Sequence, residues 1–408
     1  MSTKNPPKPL CYAPFYNVYL RASSQETRVC CMSTQNHRLE SNEMSEVFNN
    51  STAQDIRRAM LNQEWHPSCS QCKEREDLGL TSDRHMFDAW HESAVSSGVI
   101  DGDEPLDLVM PDPRWADIRP SNLCNLKCRM CYPDNSTEVA REWRELSSPV
   151  NDVTLDNTYT PTELDLFSQR KHYELPELND VVNLKLLGGE PTVQKEVFSI
   201  LDKMKYNEHS KIDITTNATT KQQFNGIQPY LKKFAQVGWC ISIDGTEQEY
   251  EYVRTPARWD RFNDAVIHLL ETDWARHNTV VTFHFVLQAW NWSSVNDVIQ
   301  YTEELKQRYN TPESPHGHCG LTIQPVDQPW LGLAVVPYEE REREIALVKK
   351  NFGRRCEELI KWSASTPFDP ELHKRFLAYT QLLDDKRGTD YLRINPAVYK
   401  TAFKHPVK

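Results

Sequence analysis

From Trp115 onward, short apolar segments alternate with amphipathic ones, and this alternation limits the fold more than any other feature. Strand-like segments are Trp115–Arg119, Leu184–Leu187, Lys211–Thr215, Trp239–Ile243, Thr279–Leu287 and Leu321–Val326. Helical spacing fills the intervals, at Ser136–Leu146, Val193–Tyr206, Lys221–Phe234, Arg258–Thr272 and Ser294–Arg308. Short strands separated by helices pair in parallel, because each return along the sheet needs a right-handed crossover. The pattern predicts an α/β fold, either an open doubly wound sheet or a partial barrel. In both, ligands collect at the C-terminal ends of the strands. A further helix is expected at Tyr338–Asn351, and the C-terminal residues read as helical to Lys386 and looser beyond it.

The chain has 408 residues, 38% hydrophobic and 26% charged, enough for one barrel-sized domain and a smaller one. A formal net charge of −11 argues against general binding to nucleic acid or anionic membranes. No apolar run spans a bilayer, and the first residues lack a secretory apolar core with a cleavage site, so a cytoplasmic protein is expected. The expected division is linear. A Cys-rich domain occupies 1–100, a linker 101–114, the alternating α/β domain 115–335 and a helical extension 336–408.

Eleven cysteines in a reducing compartment read as metal ligands before disulfides. The segment Asn122–Pro133, NLCNLKCRMCYP, spaces Cys124, Cys128 and Cys131 as C-x3-C-x2-C just after the first strand of the alternation. Three thiolates hold three irons of a four-iron, four-sulfur cluster and leave the fourth iron open to a small-molecule ligand. The competing reading is zinc, which wants four ligands in a closed tetrahedron and would need a further His or Cys.

The spacing, with aromatic Tyr132 after its last cysteine, resembles the radical S-adenosylmethionine (SAM) superfamily. The resemblance implies a partial (β/α)6 TIM-like barrel, with SAM bound at the open iron of a [4Fe-4S] cluster. Reduction of the cluster would cleave SAM to a 5′-deoxyadenosyl radical that abstracts hydrogen from a substrate. It also implies a reducing partner of flavodoxin or ferredoxin type. Tyr132 would pack near the adenine. Gly188-Gly189-Glu190-Pro191, after the second strand, would hold the amino group of SAM. Asn217, Ser242 and Asp244 end the third and fourth strands, where they would reach the ribose or the carboxylate; as bare residues they also suit turns. Arg254 would pair with the SAM carboxylate.

The N-terminal region holds Cys11, the doublet Cys30-Cys31, and Cys69-x2-Cys72. By chemistry alone these suit either structural zinc or a second iron–sulfur cluster. The order LCYAPFYNVYL, RVCCMS, DIRRAML, CSQCKERED resembles the twitch-containing, SPASM-related subgroup. That resemblance implies one auxiliary [4Fe-4S] cluster on Cys11, Cys30 or Cys31, Cys69 and Cys72, with Cys30 favoured. The glycine usual before the doublet is absent, and Gln25 stands near its position.

Gln288, Asn291, Gln324 and Pro325 are candidates for lining a substrate cavity, and His284 for a wall residue. Cys240 reads as packed core, and Cys319 as an inert isolated cysteine or as a catalytic thiol or hydrogen donor near the substrate. The expected substrate is a peptide or protein, or a small metabolite such as a nucleotide or sugar. The alternative function is a zinc-stabilised, non-enzymatic binding protein on an α/β scaffold.

Overall fold

The computed structural model describes residues 9–77, 79, 81–146, 159–169, 174–272, 278–310 and 319–394. Its strands are β1 (Asn17–Arg21), β2 (Glu26–Arg28), β3 (His37–Arg38), β4 (Trp115–Arg119), β5 (Asn183–Leu186), β6 (Lys211–Thr216), β7 (Gln236–Ser242), β8 (Thr279–Leu287) and β9 (Gly320–Pro325). The six expected strands are β4 to β9. The helices between them are Thr137–Leu146, Lys195–Lys203, Lys221–Leu231, Trp259–Glu271 and Val295–Tyr309. The expected Val193–Tyr206 helix starts late. Pro191–Val193 forms a separate 3-10 turn, and Gln194 is extended before Lys195.

The chain divides into two compact units that interleave in sequence. The first comprises Met1–Asn122, Lys171–Ile214 and Ile227–Val237; the second comprises Leu123–Arg170, Thr215–Gly226 and Gly238–Lys408.

In the first unit the strands run in the order β3-β2-β1-β4-β5-β6. β1, β4, β5 and β6 are parallel, and β2 and β3 fold back antiparallel. The sequence reading missed β1, which pairs with β4 from Asn17↔Trp115 to Arg21↔Arg119. One face of this sheet is aliphatic. Val18, Leu20, Ala116, Ile118, Leu184, Leu186, Ile212 and Ile214 are each at most 2% exposed. Each larger side chain buried this way stabilises the sheet by roughly 1.5–3 kcal/mol. The other face carries Tyr19, Arg21, Asp117, Arg119, Lys185 and Asp213.

In the second unit β8 alternates strictly, burying Thr279, Val281, Phe283, Phe285 and Leu287. It pairs in parallel with β9 from Thr282↔Gly320 to Leu287↔Pro325. C-terminal helices follow at Tyr338–Phe352, Glu357–Ser365, Pro370–Arg387 and Tyr391–Ile394. The Pro370–Arg387 helix begins where the Asp369 carboxylate accepts from the N–H groups of Glu371 and Leu372, and stops at left-handed Gly388. The part of the expected C-terminal extension at 395–408 lies outside the described residues. Among the described residues no helix is long and apolar enough to cross a membrane.

Candidate functional site

The cysteine trio sits on the loop between β4 and the Thr137–Leu146 helix. Lys127 and Arg129 donate their backbone N–H groups to Thr255 O and Val253 O at 2.8 and 2.9 Å, fixing the loop to the end of the Glu247–Val253 helix. Cys128 is buried, and Cys124 and Cys131 are half-buried. Burial pushes the Cys131 thiol well above its ordinary pKa; Cys128, Cys124 and Asp134 push it further, and Arg254 opposes them. The Cys128 thiol is likewise raised by burial, with Arg254 pulling it down. The three sulfurs therefore lie within each other's electrostatic reach, beside a guanidinium. Bound iron relieves such repulsion, because a metal ligates the thiolate form.

A polar network backs Cys124. Leu126 N donates to its sulfur at 3.4 Å, and Asn217 Nδ2 lies 4.0 Å from it. Asn217 also donates to Asn125 Oδ1 at 2.7 Å and accepts from Gln223 Nε2 at 3.0 Å. The expected ligand residue Asn217 is thus tied to the trio loop itself.

Asp244 and Arg254 face each other. Arg254 Nη1 donates to Asp244 Oδ2 at 2.5 Å, and Val286 N donates to Oδ1 at 2.9 Å. Asp244 is fully buried, and Asn291 Nδ2 caps its backbone carbonyl at 3.2 Å. Burial opposes the charge on Arg254, but Cys128, Asp244 and Tyr250 raise its pKa above the usual value. Sequence reading gave both residues separate contacts with SAM; the fold pairs them with each other. Gly245, next in the chain, takes φ +146°, and a Cβ there would stand 2.9 Å from Tyr250 N. Ser242 is half-buried at the end of β7.

Arg129, inside the trio loop, was missed by sequence reasoning. It is 1% exposed, donates to Tyr252 O at 3.0 Å, to Asp384 Oδ1 at 2.5 Å and to Thr389 Oγ1 at 2.7 Å, and lies over the Tyr252 ring at 3.6 Å. A charged residue between two cysteines was the available signal. Its partner lies 255 residues away and gave none.

Tyr132 precedes the Pro133–Asn135 3-10 turn and is half-buried. Gln288 and Asn291 are fully buried and build the turn after β8, where Gln288 N donates to Asn291 Oδ1 at 2.8 Å. His284 and Gln324 meet at 3.2 Å on the face of β8 and β9 that carries the less buried side chains. Cys240 is half-buried. Cys319, just before β9, is 2% exposed and acts electrostatically on Tyr301 and Tyr309, which places its thiol near the Val295–Tyr309 helix.

In the first unit, Gly188-Gly189-Glu190-Pro191 forms the turn after β5. Gly188 has φ +77°, and a Cβ there would stand 2.7 Å from Arg119 Cβ, so only glycine fits. Glu190 is fully buried, and its Oε1 accepts from Thr192 N at 3.2 Å and Thr192 Oγ1 at 2.5 Å. Gln194 Nε2 donates to Gly188 O at 2.7 Å and Ser121 O at 3.1 Å, pinning the turn.

The same unit gathers the N-terminal cysteines. Cys11, Cys30, Cys69 and Cys72 line one cavity with Val29, Phe87 and other apolar groups, and Cys31 does not line it. Burial raises the Cys11 and Cys30 thiols, and the nearby cysteines add to the effect. The N–H groups of Ala13 and Met32 donate to Cys11 and Cys30, and those of Asp83 and Arg84 donate to Cys72; each favours the thiolate. Burial lifts Cys69 to about 11. Two arginines hold the walls. Arg57 donates to Pro14 O, Phe48 O, Leu108 O and Asn49 Oδ1. Arg84 binds Glu76 at 2.9 Å, Asp88 at 2.9 Å and Leu10 O at 3.1 Å. Cys31 turns the other way. Burial raises it to about 11, with Asp117 adding to the shift and Lys185 and Arg119 opposing it.

Among the described residues no three His, Cys, Asp or Glu side chains are gathered tightly enough to hold one metal ion. A four-iron cubane places each thiolate on its own iron and takes a wider cage than one zinc ion with bonds of about 2.3 Å.

No protein-family model matches the chain, and no curated protein matches it. Among solved structures it is similar to SuiB of Streptococcus suis, solved with precursor peptide SuiA and with S-adenosylmethionine. Identity is 14% and the TM-score 0.33, covering 79% of this chain and 66% or 65% of the SuiB chain, so the match spans just under two thirds of that protein's length. It is also similar to TYW1 with a lysine-pyruvate adduct bound, at 10% identity and a TM-score of 0.25, covering 58% of this chain and 74% of that one. The site's own residues carry the functional reading.

Proposed function

We propose that the chain is a radical SAM enzyme that abstracts hydrogen from its substrate. The observation that carries this reading is the trio: three cysteines on one loop, pinned by Lys127 and Arg129 to the end of the Glu247–Val253 helix, with the Arg254 guanidinium beside Cys128. Cys124, Cys128 and Cys131 would hold a [4Fe-4S] cluster, and Cys11, Cys30, Cys69 and Cys72 would hold an auxiliary one. When bound and reduced, the trio's cluster supplies the electron that cleaves SAM.

The chain's residues bind and orient. Asn217 holds the Cys124 side of the loop. Arg254 keeps a positive charge beside Cys128, and Asp244 positions Arg254 beside it. The buried carboxylate of Glu190 takes the SAM ammonium group, with Gly188 and Gly189 admitting the backbone closely and Pro191 fixing the turn. Tyr132 and Ser242 are assigned to the adenosine. Four thiolates close the auxiliary cage, so its cluster binds no substrate and serves electron transfer or the fold. The substrate class carried forward is a peptide or protein, with a small metabolite next. The reductant is of flavodoxin or ferredoxin type, in the cytoplasm.

The test is anaerobic reconstitution of the full chain with iron and sulfide, followed by reduction with SAM. Brown protein releasing 5′-deoxyadenosine is expected, and Cys128→Ala brings release to background. Colourless protein carrying stoichiometric zinc, or release that survives Cys128→Ala, overturns the reading.

A further inference from the structure

Parallel strands are ordinarily apolar on both faces. The first unit departs from this on one face. Its register aligns Arg28, Tyr19, Asp117, Lys185 and Asp213 in a single lateral row across β2, β1, β4, β5 and β6. Each of these strands looks ordinary alone; only the pairing shows the row.

The row is held in place. Arg28 and Arg119 lie over the Tyr19 ring at 5.5 and 5.3 Å. Glu26 pairs with Arg28 at 3.7 Å. Tyr19 is 2% exposed and Asp117 6%, while Lys185 is half-buried and Asp213 exposed, so the row opens toward Asp213. Asp117 Oδ1 is buried and accepts no hydrogen bond. An unmet buried carboxylate oxygen is costly and calls for a donor. Burial raises the Asp117 carboxyl, and Lys185, Arg119 and Arg21 oppose that rise, so three cations face this one group. Adjacent strands stand about 4.8 Å apart, so a group bridging Asp117 and Lys185 has its donor and its anion only a bond or two apart.

We propose that this row binds a carboxylate with a neighbouring N–H, the unit found in a free amino acid and at the carboxyl end of a peptide. Asp117 Oδ1 accepts the N–H, and Lys185 with Arg119 takes the carboxylate. Cys31, the member of the doublet turned away from the cage, stands against the same wall. The inference goes beyond the cluster assignments and uses none of them. Binding is read without iron or reductant, so either proposal fails separately.

The probes are alanine, N-acetylalanine, N-acetylalaninamide and propionate, measured with the full chain by equilibrium dialysis at low ionic strength. N-acetylalanine or alanine should bind at least about tenfold more tightly than the two probes lacking carboxylate or N–H. Preference for alanine indicates a free amino acid, and preference for N-acetylalanine a chain end; either supports the wall. Lys185→Gln should bring N-acetylalanine down to the level of its amide. Asp117→Leu should erase its advantage over propionate, and should that variant not fold, Lys185→Gln decides. Equal binding of all four, no binding by about 10 mM, or an unchanged preference in Lys185→Gln overturns the proposal.

Discussion

The trio in the second unit and the cage in the first use the same side chain and are held in opposite ways. Around the trio stand ions: Arg254 on Asp244, and Arg129 on Asp384. The cage has Asp83 and Arg84 in its wall beside apolar groups, but its sulfurs meet backbone N–H groups. Three thiolates with a cation beside them suit a centre that still takes a ligand, and four thiolates suit one that is closed. Donor number and surroundings point the same way in each unit.

Breaking one site at a time is the strongest probe of that contrast. Cys128→Ala should abolish 5′-deoxyadenosine release, while Cys72→Ala should lower bound iron by about half and leave the trio's cluster visible in electron paramagnetic resonance. Loss of the trio's resonance in Cys72→Ala, or its survival in Cys128→Ala, would erase the distinction. Next comes the ionic support. Arg129→Met strands Asp384 among Tyr252, Thr389 and Tyr391, and should cost about 3–5 kcal/mol in urea unfolding. Arg254→Gln should cost about 3 kcal/mol and also make the trio's cluster harder to reduce, since a cation leaves Cys128. An unmoved midpoint potential would remove Arg254 from the site. Gly188→Ala, at positive φ against Arg119, should cost about 2 kcal/mol. The smallest effect belongs to Cys31→Ser, which should leave iron content unchanged.

Much of this was legible in sequence, and the gaps have physical reasons. Strands β4 to β9 announced themselves because helices of regular spacing separate them. β1 did not, since the one-turn helix Ala13–Tyr16 before this five-residue strand is too short to set a rhythm. Cys30 and Cys31 were inseparable on paper, because they fall in the turn after β2, and only its folded geometry decides which sulfur lines the cage. Arg254 was readable as a functional cation, but its partner was not, as Asp244 reaches it only once the turn at Gly245 has formed. The charged row was hidden because registers between strands are not written in any one of them.

The pairing of β1 with β4 also has a consequence for biosynthesis. Asn17 leaves the ribosome almost a hundred residues before Trp115, its partner. Until then that strand has one side open, and this stretch of nascent chain depends on whatever shields an unpaired edge, such as a chaperone. Closing so long a loop is slow, which puts this step late in folding.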